Sequence, residues 1–250
     1  MPMNDKDGRG LDARRDGLPL EVTRDVIRWN EEMVRRYDIE AYYRDTHPLV
    51  RWVEGRRIRA LVSFAGAVDG VSLLEVGCGA GHVLEHFEPA RQVGLDLSAT
   101  MLLRSRSRLG PETPLVRGSA DRLPFAEGSF SVIICTELLE HTPDPEAVVA
   151  ELLRVAGRGG RVVVSVPNEV NIDRAKWLAR RIPGLRRLLS SLADEDNEWH
   201  LHRMDLRVLR SIVGDRGTLE QVRRIPAAIL PLRYVAVLRA SPGEGNFEKE

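Results

Sequence analysis

The chain has 250 residues, enough for one domain with a substantial buried core. Its 37 basic and 37 acidic residues cancel to a formal charge of zero, so no global field recruits nucleic acid and any electrostatic partner must meet a local patch. Residues 1–16 are charged and lack an apolar segment, and no run of about 18 apolar residues occurs, so a soluble cytoplasmic protein is expected. The two cysteines, Cys78 and Cys135, are too few for a structural zinc site and are expected as thiols packed in the core. No metal is expected.

Residues 22–61 read as helical and hold many of the aromatics, among them Trp29, Tyr37, Tyr42 and Trp52. With the flanking residues they form an expected helical cap over 1–70. Tyr37 and Tyr42 are candidate substrate contacts, although aromatics at such spacings more often serve helix packing. From Val71 onward short apolar runs alternate with longer segments, the pattern of βα units around a parallel sheet. Strands are expected at 72–76, 92–95, 115–117, 131–135 and 160–166. Helices are expected at 82–87, through Met101 to Leu103 with Ser98 as N-cap, and at 145–155, the last ended by Gly157, Gly159 and Gly160.

Glu75-Val76-Gly77-Cys78-Gly79-Ala80-Gly81 follows the first strand. Three alternate glycines let backbone N–H groups approach a ligand where a Cβ would collide. Asp96 lies 19 residues after Gly77, at the end of the second strand, placed to accept hydrogen bonds from ribose hydroxyls. The dinucleotide fingerprint G-x-G-x-x-G would need glycine or alanine where the chain has His82, and Glu75 would repel a pyrophosphate while suiting a cationic ligand group. A nicotinamide-dependent oxidoreductase is therefore disfavoured.

These residues resemble the first motif, E/D-x-G-x-G-x-G, of the class I S-adenosylmethionine-dependent methyltransferases, in particular those of ubiquinone and menaquinone biosynthesis. The resemblance is close over 71–168. It continues in Gly118-Ser119-Ala120, where the family commonly has Gly-Asp-Ala, in Thr136-Glu137-Leu138-Leu139-Glu140-His141, and in Ser165-Val166-Pro167-Asn168. It implies a Rossmann-like, doubly wound α/β sheet of seven strands, mostly parallel with an antiparallel last strand. It also implies S-adenosyl-L-methionine as cofactor, held by Glu75, Gly77, Gly79, Gly81, Asp96, Leu97, Ser119, Ala120 and Thr136. In place of the missing acidic residue of the adenine loop, Ser119 or the displaced Asp121 would contact the adenine amino group.

The implied activity is methyl transfer to a small-molecule acceptor, most simply at oxygen, with carbon or nitrogen of a quinone, lipid or sugar as alternatives. Such an in-line displacement mainly needs alignment in a dry cleft. His141 is the candidate general base by its place in the motif, with His200 and His202 as rival bases and substrate contacts. The insert 169–204 is expected as a variable lid. Its apolar Trp177, Leu178 and Leu185 alternate with Arg174, Lys176 and Arg186, so it either covers the cleft as a solvated lid or rests on a lipid surface. A helix at 206–213 and two strands complete the domain to 240, and 241–250 read as a disordered tail. A silent binding module on the same fold is the non-enzymatic alternative.

Overall fold

The structure, a computed structural model, describes residues 24–36, 48–87, 91–181 and 200–241. Tyr37 and Tyr42, residues 182–199 of the insert and residues 242–250 of the expected tail lie outside the described residues.

Seven strands form one sheet: β1 (Ser72–Val76), β2 (Arg91–Asp96), β3 (Leu115–Arg117), β4 (Val132–Thr136), β5 (Arg161–Pro167), β6 (Gly217–Ile225) and β7 (Arg233–Ala240). Their order across the sheet is β3-β2-β1-β4-β5-β7-β6. The pairs from β3 through β5 are parallel, and β7 runs antiparallel to both β5 and β6. The order reverses between β1 and β4, whose Val76 and Cys135 are register partners. A crevice opens beyond the carboxyl ends of strands at such a switch point, the usual ligand site of open α/β sheets.

Helices cover both faces. Along β1, Leu73 packs with α2 (Pro48–Ala65) through Leu61 and Phe64, while Leu74 and Val76 point into the opposite cluster with Val149, Leu152 and Leu209. The last three come from α4 (Pro145–Ala156) and α6 (Leu206–Val213). The period-2 alternation of a strand thus feeds two cores, and each fully buried aliphatic side chain contributes about 1.5–3 kcal/mol. The expected cap at Ser98 is present, and two further caps join it. Ser98 Oγ accepts the Met101 N–H at 3.1 Å to start α3 (Ala99–Leu109), and Asp144 and Asp205 do the same for α4 and α6.

The described residues of the stretch 22–61 are helical, in α1 (Arg24–Arg36) and in α2, which begins on Pro48, whose missing N–H suits a first turn. One expectation changes. The expected helix at 82–87 is only a 3₁₀ turn, Leu84–Phe87. The His86 N–H reaches back only three residues, to the Val83 carbonyl, and this tighter winding lasts one turn. No helix among the described residues is long and apolar enough to cross a membrane.

Candidate active site

The glycine loop is laced to the end of β2. The N–H groups of Gly77 and Cys78 both donate to the Leu95 carbonyl, at 2.8 and 3.0 Å. The Gly79 and Ser98 N–H groups donate to opposite oxygens of Asp96, each at 2.8 Å. Gly79 has φ +52°, and a Cβ added there would meet nothing within 4 Å. Gly81 has φ +83°, but its added Cβ would lie 2.9 Å from Ser105 Oγ and 3.0 Å from Leu109 Cδ1. Gly79 therefore leaves open space beside the backbone, whereas Gly81 lets the loop pack on α3.

Beneath the loop Glu75 is 1 % exposed, and its Oε2 has no hydrogen-bond partner. Burial pushes its carboxyl well above the usual range, Arg57 works against that shift, and Asp96 adds to it. A buried carboxylate oxygen left unused at the foot of an open backbone cradle fits a ligand with a positive charge. Burial also raises Asp96, opposed by the two N–H groups it accepts.

The Gly118 N–H donates to the Asp96 carbonyl at 3.1 Å, so Leu97 and the turn holding half-buried Ser119 and Ala120 share one rim with Asp96. Thr136, buried, ends β4 on the neighbouring side of β1. Most of the residues assigned to the cofactor thus ring the carboxyl ends of β1, β2 and β4, with Gly81 at the back of the loop.

Glu31 gave no signal in the sequence. Its Oε1 accepts the Ala99 N–H at 2.7 Å, and its Oε2 accepts the hydroxyls of Ser98 at 3.1 Å and Thr100 at 2.8 Å. Burial would raise its pKa, but these donors outweigh burial and hold the carboxyl below its ordinary value. Val34, one turn on, packs in a small buried cluster with Ala80 of the glycine loop and Met101 of α3. α1 is thereby clasped over the loop.

Across the switch point, a 3₁₀ turn (Leu139–His141) follows β4. An added Cβ on Gly77 would lie 3.1 Å from the Leu138 side chain, so this turn abuts the glycine loop. The three candidate histidines converge on Glu140. The N–H groups of Leu201 and His202 donate to the Glu140 carbonyl at 2.7 and 3.2 Å, and His202 Nε2 donates to the Thr142 carbonyl at 3.0 Å. The rings of His141 and His200 meet edge to face, with centroids 4.8 Å apart. His200 Nδ1 donates to Glu169 Oε1 at 2.5 Å, and His141 Nε2 lies 3.9 Å from Glu140 Oε1. Glu169 opens α5 (Glu169–Arg181), the first part of the expected lid.

Glu140 is 1 % exposed, and its Oε2 has no hydrogen-bond partner. Burial, then repulsion from Glu137, pushes its pKa well above the ordinary carboxyl value. Glu137 itself has φ +48°, the one positive value outside glycine among the described residues, a backbone strain that its surroundings must enforce. Its carboxylate accepts the Ser165 hydroxyl at 2.8 Å and pairs with Arg233 Nε at 2.8 Å. Burial would raise its pKa, but Arg233, Arg57 and Ser165 prevail and hold it low. An ionic layer of buried Glu54 and Arg57 with half-buried Glu137 and Arg233 thus underlies the turn. Sequence reasoning named His141, His200 and His202 as rivals. It did not foresee that they share one cluster, nor that Glu140 and Glu169 build it.

A family model for a methyltransferase domain matches residues 74–164, the stretch from β1 to β5. The chain is 28% identical over 174 residues to the ubiquinone biosynthesis O-methyltransferase of Sodalis glossinidius, covering 64% of this chain and 67% of that protein. It is 35% identical over 131 residues to the demethylmenaquinone methyltransferase of Renibacterium salmoninarum, covering 51% of this chain and 55% of the relative. The chain thus spans roughly half to two thirds of these curated relatives.

Among solved structures, the magnesium protoporphyrin IX methyltransferase of Synechocystis with bound S-adenosylhomocysteine superposes with a TM-score of 0.61 at 15% identity, over 85% of this chain and 99% of the other. The N-methyltransferase NodS of Bradyrhizobium japonicum superposes equally well, with a TM-score of 0.61 at 16% identity over 84% and 97% of the two chains. At these identities the likeness is one of fold.

Proposed function

We propose that the chain is a class I S-adenosylmethionine-dependent methyltransferase and that it moves the methyl group of S-adenosyl-L-methionine to a hydroxyl oxygen of a quinol-type or phenolic small molecule. The observation that carries the cofactor is the pairing of an open Gly79 cradle with the unpartnered Glu75 Oε2. The cofactor's amino acid part presents an ammonium to Glu75, and Asp96 offers its carboxylate to the ribose. The cofactor, when bound, supplies a methyl group on a positively charged sulfur.

The protein's own work is alignment and exclusion of water. α1, clasped through Glu31, covers the loop, and the Glu140–His141–His200 cluster faces the acceptor side. His141 is the group we place against the acceptor hydroxyl, where a positioned base is worth about 10²–10⁴-fold. On α5, Trp177 and Leu178 are exposed beside Arg174, and Arg181 stacks 3.8 Å over the Trp177 ring. This basic, apolar stretch suits an acceptor with an apolar tail or a lipid surface that delivers one.

The acceptor class follows the names of the curated relatives, one of which is an O-methyltransferase and one a demethylmenaquinone methyltransferase, so carbon methylation is the second reading. Incubation with methyl-labelled S-adenosylmethionine and a panel of catechols, hydroquinones and prenylated quinols tests both. An O-methyl ether, identified by mass and NMR, supports the first reading and a ring C-methyl product the second. Cofactor binding with no transfer to any quinol or phenol overturns the acceptor class.

A further inference from the structure

We propose that Glu151 and Arg154 of α4 are positioning residues for the base of the cofactor, which grip the far end of the loop after β3 and so set Ser119 to Asp121 against the adenine. They act through the loop and not on the cofactor. The inference rests on the methyl-donor reading of the site and adds to it a device that the glycine loop, Glu75 and Asp96 do not supply.

The loop from Gly118 to Phe125 hangs between two polar anchors. At its start the Gly118 N–H donates to the Asp96 carbonyl at 3.1 Å. At its end Glu151 Oε2 accepts the Leu123 N–H at 2.7 Å, while Arg154 donates to the Leu123 carbonyl from Nη2 at 3.2 Å and to the Phe125 carbonyl from Nη1 at 2.9 Å. The two side chains also lock each other, Nε to Oε1 at 2.6 Å and Nη2 to Oε2 at 2.7 Å. Both carboxylate oxygens and all three guanidinium nitrogens are thus engaged, in the two-bond geometry that gives an Arg–carboxylate pair its direction.

Exposed ion pairs three residues apart on a helix contribute little by themselves. Here the side chains of Glu151 and Arg154 are 19 % and 35 % exposed, and each bonds main-chain groups 28 to 31 residues earlier in the chain. Hydrogen bonds from Arg154 are the largest influence on the Glu151 carboxyl and hold it below its ordinary value, so the fork stays ionised at neutral pH. Leu123 is itself buried and shares a core cluster with Leu152 and Leu153 of α4, which backs the grip with apolar contact.

Between the anchors the chain has less to hold it. Ser119, Ala120 and Asp121 are half-buried, Arg122 is exposed, and the Arg122 N–H reaches back to the Ser119 carbonyl at 3.3 Å. Their place is therefore dictated from the two ends. The base is bonded to the ribose, so a ribose held at Asp96 puts it against the segment that starts one hydrogen bond from Asp96. With the far anchor cut, the segment samples other placements, and a loop correctly placed about a tenth of the time weakens binding about tenfold.

The test is calorimetry on the full chain with S-adenosylhomocysteine and, by competition, with S-ribosylhomocysteine, which keeps the amino acid part and the sugar but lacks the base. Arg154→Met should weaken S-adenosylhomocysteine binding about tenfold and leave S-ribosylhomocysteine bound as by wild type. Glu151→Gln, whose amide can still accept the Leu123 N–H, should cost about threefold in the first and nothing in the second. Amide exchange in residues 119–123 of the ligand-free variants should speed up. Retained S-ribosylhomocysteine binding shows that a variant folds, and should Arg154→Met not fold, Glu151→Gln decides alone. Unchanged S-adenosylhomocysteine affinity in the folded variants, or an equal loss for both ligands, overturns the positioning role and leaves the methyltransferase reading standing. Wild-type protein that does not bind S-adenosylhomocysteine overturns that reading, and this inference with it.

Discussion

Gly79 and Gly81 lie two residues apart in one motif, yet alanine should damage them in different ways. Both have positive φ, so alanine brings left-handed strain of about 1–2 kcal/mol at either position. At Gly79 nothing else is lost, because no atom lies within 4 Å of the added methyl. At 2–4 °C per kcal/mol for a chain of this size, the melting temperature should fall by about 5 °C. At Gly81 the methyl would press on Ser105 Oγ at 2.9 Å and Leu109 Cδ1 at 3.0 Å, and overpacking adds about 1–3 kcal/mol. The fall should then be on the order of 10 °C. Affinity should rank the other way. The Gly79→Ala methyl projects where the cofactor must meet the backbone, and a clash of about 1.4–2.7 kcal/mol weakens S-adenosylhomocysteine binding tenfold to a hundredfold. Folded Gly81→Ala should bind nearly as well as wild type. Thermal unfolding without ligand and calorimetric titration with S-adenosylhomocysteine measure the two effects. Full affinity in Gly79→Ala would refute the assignment of the open cradle to the cofactor.

Three more outcomes follow from single contacts. Glu31→Ala removes three hydrogen bonds from α1 to the start of α3, about 2–4 kcal/mol of local docking, so amide exchange in residues 24–36 should speed up and S-adenosylhomocysteine should dissociate faster. Unchanged exchange would show that Val34 alone holds the helix. Glu75 has its carboxyl pKa raised by burial, so its proton is retained on folding and its cost to stability grows as pH rises above the unfolded carboxyl range. Glu75→Gln should therefore gain stability over wild type in urea at pH 8 more than at pH 5 while losing affinity for S-adenosylhomocysteine, and an equal effect at both pH values would contradict the shift. Cys78 and Cys135 are buried thiols whose pKa values burial pushes up, with neighbouring carboxylates adding to it, so iodoacetamide should modify neither at pH 8 until urea unfolds the chain. Rapid native alkylation would mean that the core beneath the loop opens.

The parts of the site readable in the sequence are those whose determinants are local. The strand before Gly77, the alternating glycines, Asp96 at the end of β2 and the cap at Ser98 each depend on residues within about one βα unit. The clasp at Glu31 joins residues 67 to 69 positions apart and offers no periodicity to find. The meeting of His141 with His200 requires β5 and α5 to fold between them, and the Arg233 pairing with Glu137 requires β7 to return antiparallel beside β5. The expected helix after Gly81 failed for a local reason, since the apolar spacing of Val83, Leu84 and Phe87 fits a single 3₁₀ turn as well as an α-helix.

The most direct test of the whole account is calorimetric titration of the wild-type chain and Asp96→Ala with S-adenosylhomocysteine, and in parallel with NADH. Binding of S-adenosylhomocysteine alone, at about micromolar affinity and lost in Asp96→Ala, is the predicted result. Binding of NADH, or of neither ligand, would contradict the assignment of the glycine loop, Glu75 and Asp96 to a methyl-donor site.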